Sequence, residues 1–333
     1  MAREPERLLG ESPSFLRILE EVSLIAPLNK PVLLVGERGT GKELIAARLH
    51  FLSDRWENEY VKMNCAAISD SLLETELFGH EAGSFTGASK THHGRFERAH
   101  TGTLFLDELA NTSPLVQEKL LRVIEYGEFE RVGGNKTLYC DVRLIAATNE
   151  DLPRLAEQGK FRNDLLDRIA FDVLTLPPLR EREGDILLLA EHFAISMANE
   201  LSREYFPGFS EDVNTQLCEY LWPGNIRELK NVIERCVYRH DTENEVAEIN
   251  FDPFESPFRL ISAKHQDQVA HATPAITQWP RDLKQVVQSF EIEMIEQAMV
   301  QAKHNQRKAA ELLQLTYHQL RGYLKKYDLI KTD

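Results

Sequence analysis

Long apolar runs, clustered cysteines and an excess of basic residues are all missing from this chain of 333 residues. No stretch approaches the roughly 20 apolar residues that a membrane-spanning helix needs, and the charged opening MAREPER is unlike a secretory leader. The four cysteines, Cys65, Cys140, Cys218 and Cys236, stand far apart without a CxxC pair. They suit a reduced cytosolic chain better than a disulfide framework or a zinc site. These absences lead us to expect a soluble, cytoplasmic protein. Hydrophobic residues make up 42% and charged residues 28%, which excludes a disordered chain or a collagen-like fibre. The length allows about two domains.

Basic residues are outnumbered, 39 against 53, and the net charge of −14 argues against a generic nucleic-acid coat. Their distribution is uneven. Lys303, Arg307, Lys308, Arg321, Lys325 and Lys326 meet only one acid, Glu311, so this segment carries +5 and the remainder −19. A basic tip on an acidic body suits a surface facing a polyanion; a solvated helix face is the alternative.

Apolar runs at VLLVG (32–36), TLFLDE (103–108) and VRLIAATN (142–149) end in polar groups and alternate with the helical patterns ELIAARLH, VQEKLLRVIE and FRNDLLDRIA. Such a succession predicts a doubly wound α/β unit over about residues 1–170, with buried parallel strands. Residues 171–240 read as a helical lid, 241–280 as a proline-containing, acidic and partly disordered linker, and 281–333 as a further helical domain. Leu283, Val286, Val287, Phe290, Met294, Ile295, Ala298 and Met299 fall on one helical face of that last part.

The turn GERGTGKE (36–43) follows a predicted strand and opens a predicted helix. Gly36, Gly39 and Gly41 let the N–H groups of Glu37, Arg38 and Thr40 crowd around phosphate oxygens, and Lys42 reaches the β- and γ-phosphates. Glu43 stands where GxxxxGK[ST] places a hydroxyl, so the loop alone leaves a non-binding turn open. The second strand ends in Asp107 and Glu108, a Mg²⁺ ligand and a general base for the attacking water. Both elements in this order make an ATPase. Thr148 and Asn149 end the third strand, either as γ-phosphate sensors or as an Asx turn. Arg162 and Arg168 sit six apart on one predicted helix, solvated or acting as arginine fingers in a neighbour's site.

With these motifs placed, the sequence resembles the AAA+ bacterial enhancer-binding proteins, the ATP-driven activators of sigma-54 RNA polymerase. The signature is GSFTGA (83–88), where the family reads GAFTGA, so Ser84 replaces an alanine. The resemblance implies a loop inserted into the first helix of the ATPase unit that rises with ATP bound. Gly83 and Gly87 would be its hinges, Phe85 and Thr86 the sigma-54 contacts, with Ser84 and Ala88 between and beside them. It also implies that Glu43 is the family's own residue, that Asn64 in VKMNCAA contacts and switches Glu108, and that Arg162 and Arg168 are the fingers. Arg227 in WPGNIREL would be the sensor facing the γ-phosphate, and ERVGGNKT (130–137) the second loop beside GSFTGA. ATP, Mg²⁺ and assembly into a hexameric ring come with the resemblance.

NQRKAAELLQLTYHQLRGYLKKY (305–327) is similar to the Fis-type helix-turn-helix that ends these activators. Asn305 and Thr316 would cap its two helices, and Arg307, Lys308, Thr316, His318, Gln319, Arg321 and Lys325 would face enhancer DNA. Gln314 stands where the family has glycine, and the apolar face after Leu283 would pair two modules. Because the phosphate-loop strand starts at residue 32, no sensory domain is expected ahead of it. The chain thus resembles family members restrained in trans by a peripheral membrane protein of the PspA type, with Trp56 either their contact or a partly buried core residue. A remodelling ATPase outside sigma-54 transcription, such as a helicase loader, would lack the GSFTGA loop. A plain Fis-like DNA-binding module would have lost Lys42, Asp107, Glu108 or the arginines, and all are present.

Overall fold

Strand β6 (Arg143–Thr148) is buried at every position, and such a strand belongs in the middle of a parallel sheet covered on both faces. The computed structural model describes residues 8–85, 88–240, 244–254 and 305–327, together with isolated positions between 288 and 302. In it, β6 lies between β1 (Val32–Val35) and β3 (Thr103–Asp107). β2 (Tyr60–Asn64) and β7 (Val173–Thr175) complete a five-stranded sheet of order β2-β3-β6-β1-β7, all pairings parallel. Val35 pairs with Thr148 and Asn64 with Asp107, so the strands that carry the motifs end at one edge of the sheet.

Alternate strand residues point to opposite faces. Leu34, Phe105, Ile145 and Ala147 pack under α1 (Pro13–Ile25) and α2 (Lys42–Phe51) through Val22, Ile45 and Leu49. Leu104, Leu106, Leu144 and Ala146 face α3 (Asp70–Phe78), α4 (Arg95–Arg98), α5 (Pro114–Tyr126), α6 (Leu152–Glu157) and α7 (Asn163–Ile169). An antiparallel pair, β4 (Glu128–Glu130) and β5 (Thr137–Tyr139), carries the second loop. The lid packs α8 (Asp185–Glu200), α9 (Glu211–Glu219) and α10 (Asn225–Arg239) around the fully buried Trp222, Leu229 and Ile233.

Two sequence expectations need correction. The α/β unit does not stop at 170, because β7 adds the edge strand beside β1; three residues are too few to show a periodicity. Nor does an open linker begin at 241. Val246 is 1% exposed and bridges to Phe209, while the Phe251 ring stacks on Tyr220 at 4.4 Å and meets Trp222 edge-on at 5.7 Å. The acids of this segment hid the apolar residues that fasten it to the lid. The rest of the expected linker, 255–280, lies outside the described residues.

The chain divides into two compact units, 1–255 and 256–333. In the second, α11 (Gln306–Leu312) and α12 (Tyr317–Lys326) close over Ala309, Ala310, Leu320 and Leu324. Ile295, Ala298 and Met299 join that core, whereas Phe290 and Met294 are exposed, so the expected pairing face is partly used within the unit. Leu283, Val286 and Val287 lie outside the described residues.

A buried carboxylate ties the first unit's entry to its lid. Asp185 accepts the Glu11 and Ser12 N–H groups at 2.6 and 3.0 Å, the Ser12 hydroxyl at 2.9 Å and Arg182 Nε at 2.7 Å. Burial pushes this carboxyl upward, but the hydrogen bonds from Glu11, Arg182 and Ser12 win and hold it below the ordinary value. A depressed carboxyl stabilises above its unfolded pKa of about 4 and loses that contribution as the pH falls. Asp185→Ala leaves Arg182 buried and unpaired, and is expected to cost roughly 3–5 kcal/mol in denaturant unfolding at pH 7. The deficit relative to wild type should shrink as the pH is lowered below about 4; a deficit constant with pH would refute the assignment.

Candidate functional site

The turn after β1 is shaped by Gly39 and Gly41, at φ 80° and 99°, a region that side chains rarely adopt. Gly39 is also required by contact, since a Cβ there would collide with the Gly224 carbonyl of the lid. α2 starts at Lys42, so its unpaired N–H groups face the turn and form an anion cradle. Lys42 Nζ donates to the carbonyls of Gly36 and Glu37 at 2.8 and 2.9 Å. Burial lowers its pKa, and the nearby Asp107 and Glu108 oppose that. The Thr40 hydroxyl donates to the Glu37 carbonyl at 2.9 Å, shaping the turn from within, and Glu43 pairs with Lys62 of β2 at 2.7 Å.

Asp107 ends β3 and its Oδ1 accepts the Glu108 N–H at 2.9 Å. Burial raises its pKa against the pull of the Glu108 N–H and of Lys42, and the charges of Glu108 and Glu43 add to the rise. This is a concentration of negative charge suited to a cation. Glu108 adopts φ 54°, a conformation costing a non-glycine residue roughly 1–2 kcal/mol. Its carboxylate meets Arg38 Nη2 at 3.4 Å and Asn111 Nδ2 at 3.5 Å. Asn64 is not brought to Glu108 as expected: its Oδ1 accepts the Ala66 N–H at 2.8 Å, capping its own turn. The buried Thr148 hydroxyl likewise accepts the Glu150 N–H at 3.0 Å, a local turn, while Asn149 beside it is half-buried.

The lid reaches the turn through a residue that the sequence reading passed over. Asn225 is fully buried at φ 54°. Its Nδ2 donates to Glu37 Oε2 at 2.9 Å and to the Arg38 carbonyl at 3.1 Å, and its Oδ1 accepts the Leu179 N–H at 2.8 Å. The Ile226 N–H donates to the Gly39 carbonyl at 3.0 Å. Arg180 grips Glu37 with two prongs at 2.5 and 2.9 Å, and hydrogen bonds from Arg180 and Asn225 bring Glu37 down to about 2. The only sequence signal was an asparagine directly after a glycine at a helix start. Arg227, two residues on, stands close enough for its charge to depress Lys42.

Arg162 and Arg168 do not share a helix. Arg162 is the N-cap residue of α7 and pairs with Asp164 at 2.7 and 3.0 Å; Arg168, in the last turn, pairs with Glu125 of α5 at 2.7 Å. The Arg168 side chain is mostly exposed and that of Arg162 partly so.

The GSFTGA segment lies between α3 and α4, not in the first helix as expected, and Thr86 and Gly87 fall outside the described residues. Gly83, at φ 81°, donates its N–H to the Ala88 carbonyl at 2.7 Å and closes the loop neck. Phe85 is 45% exposed and edge-on to His80 at 4.9 Å. Ser84 packs on the second loop, where a Cβ at Gly133 would strike it, and the Ser84 hydroxyl is buried without a partner. Arg131 of the second loop holds Glu97 at 2.6 and 2.9 Å and Glu81 at 2.8 Å.

In the second unit, Asn305 accepts the N–H groups of Arg307 and Lys308, and Thr316 and Gln319 form a reciprocal cap at the start of α12. Gln314 sits at φ 54°, as the turn requires. Arg307, Lys308, His318, Arg321 and Lys325 are exposed, whereas the Gln319 side chain is engaged by the cap.

Residues 8–175 match the Sigma-54 interaction domain family, 180–268 the AAA+ ATPase lid domain and 287–327 the bacterial regulatory proteins of the Fis family. The Psp operon transcriptional activator of Escherichia coli (strain K12) is 56% identical over 331 residues, 99% of this chain and 100% of that protein. The transcriptional regulatory protein ZraR of Salmonella typhimurium is 42% identical over 93% of this chain and 66% of its own length. The Nif-specific regulatory protein of Azotobacter vinelandii is 48% identical over 68% of this chain, which spans only 43% of that protein. NtrX from Brucella abortus, solved in complex with ATP, superposes with a TM-score of 0.68 at 29% identity, covering 98% of this chain and 70% of NtrX.

Asn225→Ala removes three hydrogen bonds and leaves the Leu179 N–H without a partner. A loss of roughly 1–3 kcal/mol is expected in chemical unfolding, together with weaker binding of a fluorescent ATP analogue as the lid releases the turn. Unchanged stability and affinity would mean that the lid is held elsewhere.

Proposed function

The chain belongs to the sigma-54-dependent transcriptional activators, AAA+ ATPases with a helical lid and a Fis-type helix-turn-helix, and from that premise we propose how its residues divide the work. The triphosphate of ATP lies along Gly36–Glu43, its charge met by the turn's N–H groups, the start of α2 and Lys42. Asp107 is the residue to hold Mg²⁺, and the fit rests on its half-buried position beside Glu108 and Glu43 with Lys42 as the nearby cation. When bound, the ion supplies charge neutralisation of the phosphates.

Glu108 accepts a proton from the attacking water as its oxygen bonds to the γ-phosphorus and the bond to the ADP oxygen breaks. Asn64 switches Glu108 with nucleotide state, and Thr148, Asn149 and Arg227 act as sensors of the γ-phosphate. Arg162 and Arg168 act in a neighbour's site within a hexameric ring. Their exposure, and their pairing with acids of α7 and α5 rather than with the phosphate turn, supports that division. The exposed Phe85 and the adjoining Thr86 carry the stroke to sigma-54, and the second unit holds enhancer DNA through α12. By kinship with the Escherichia coli Psp operon activator, the promoter served is that of the corresponding stress operon. A PspA-type regulator in trans restrains the ATPase, with the exposed Trp56 as its contact. No described helix is long and apolar enough to cross a membrane.

One observation carries this reading: Lys42, Asp107 and Glu108 converge at one sheet edge that the lid closes, in the same compact unit as the GSFTGA loop.

Two experiments test it. Arg168→Ala subunits mixed with Lys42→Ala subunits should regain part of the wild-type ATPase rate, because some interfaces then join two intact halves. Rings that form but show no recovery at any ratio would place Arg168 outside the neighbour's site. Thr86→Ala leaves the phosphate turn and the acidic pair intact and should keep ATP hydrolysis within about twofold. It should also abolish ATP-dependent open-complex formation by sigma-54 holoenzyme in purified components. Normal activation by this variant would leave a remodelling ATPase that works on another target.

A further inference from the structure

The carboxylate that serves as base is already engaged. Glu108 leaves β3 in a left-handed conformation, and the turn Leu109–Asn111 follows directly, so its position is set by the backbone. There its Oε1 meets Arg38 Nη2 at 3.4 Å, with Asn111 Nδ2 at 3.5 Å from the other oxygen. Arg38 comes from the phosphate turn itself, and its main chain is pinned. Its carbonyl accepts the Asn225 amide at 3.1 Å, the Gly39 carbonyl accepts the Ile226 N–H at 3.0 Å, and Glu37 is held by Arg180 and Asn225. Only the side chain is left to move, and it is 67% exposed. Its charge reaches Lys42, whose pKa it helps to lower, so the guanidinium lies within the field of the phosphate cradle.

We propose that Arg38 is a positioning residue that clamps Glu108 in the nucleotide-free chain and is drawn off it by the triphosphate. The inference rests on the reading of Glu108 as general base. The single contact at 3.4 Å between an exposed guanidinium and a half-buried carboxylate is a long, one-pronged ion pair, of the kind that solvent and competing charge readily exchange. A triphosphate offers several negative charges and oxygens that match the guanidinium fork better than one carboxylate oxygen does. As Arg38 turns to the phosphates, Glu108 is left free for water at the moment when substrate is present. The base is thereby withheld from an empty site and delivered to a filled one. Asn225 keeps the pivot in place, because its amide holds both Glu37 and the Arg38 carbonyl.

A double-mutant cycle on nucleotide affinity tests this without relying on turnover. The full chain, Arg38→Gln, Glu108→Gln and the double variant are titrated with a fluorescent ATP analogue. Thermal unfolding of each confirms that these near-isosteric or surface substitutions leave the fold intact. Glu108→Gln relieves repulsion of the phosphates in either background, but only where Arg38 is present does it also remove the clamp that binding must break. The gain in affinity from Glu108→Gln should therefore be about two- to fivefold larger in the wild-type background than in the Arg38→Gln background, the size of an exposed ion pair. The excess should fade in high salt. Equal gains in the two backgrounds, or a smaller gain with Arg38 present, overturn the proposal, since Arg38 then either ignores Glu108 or stays on it through binding. Turnover retained by Glu108→Gln would instead defeat the assignment of the base, and the binding cycle would still report on the clamp.

Discussion

A strand buried along its whole length keeps its place only if neighbours saturate its hydrogen bonds on both sides and helices cover both faces. β6 is that strand, and the rest of the site follows from it. β1 pairs with one side and β3 with the other, both parallel, so their carboxyl ends emerge at the same edge. The phosphate turn leaves β1 and Asp107–Glu108 end β3, while Thr148 fills the position between them. In an open α/β sheet this edge is where ligands collect. The lid then needs to reach only one loop. Asn225 does so with a fully satisfied, fully buried amide, which costs nothing in unpaired polar groups and fixes two residues of the turn at once.

Charge within the single chain is arranged to be exchanged. Lys42 rests on loop carbonyls, Glu108 on Arg38, Arg162 on Asp164 and Arg168 on Glu125. Each of these partners is a weaker match than a phosphate or a transition state would be, and the ion pairs are all at least partly exposed, where their net worth is small. The structural pairs are different in kind. Asp185 with Arg182, and Glu97 with Arg131, are mostly shielded from solvent. Burial pushes Glu97 up, yet hydrogen bonds from Arg131 and His93 bring it down to about 2. The difference lies in the arginines: Arg38 and Arg168, proposed to leave their partners, are mostly exposed, whereas Arg131 and Arg182 are shielded together with theirs.

This division explains what could be read in the sequence. β1, β3 and β6 announce themselves because buried parallel strands are uninterrupted apolar runs, and the glycine-rich turn and acidic pair follow them directly in the chain. The caps at Asn305 and Thr316 are local chemistry and were equally visible. β7 was not, being three residues with a single buried position. The segment 244–254 was misread because its acids, Glu245, Glu248 and Asp252, are interleaved with Val246, Ile249 and Phe251, although those three apolar residues decide where it packs. Asn225 was illegible for another reason: its meaning lies in Glu37 and Leu179, 188 and 46 residues away. The Asn64 side chain, at the end of the strand beside its expected partner, shows that a motif fixes which residues are present in a site but not which hydrogen bond each makes at rest.

The charge asymmetry of the chain acquires a physical sense once the two units are separate. The remainder outside the basic segment carries −19, most of it within the ATPase unit, whose charge therefore opposes contact with DNA. The second unit reverses the sign on a small surface, with Arg307, Lys308, Arg321 and Lys325 exposed over a core of Ala309, Ala310, Leu320 and Leu324. Each phosphate that such a surface neutralises releases counterions, which makes the hold on DNA strong at low salt and tunable. The phosphate turn, acidic pair, lid and GSFTGA segment all lie within 1–255, apart in the chain from the basic unit. What DNA contact adds is proximity: a tethered motor meets its polymerase at an effective concentration set by the DNA between them. The repulsion of the acidic body then keeps the motor from settling on DNA at random and leaves it free to engage protein.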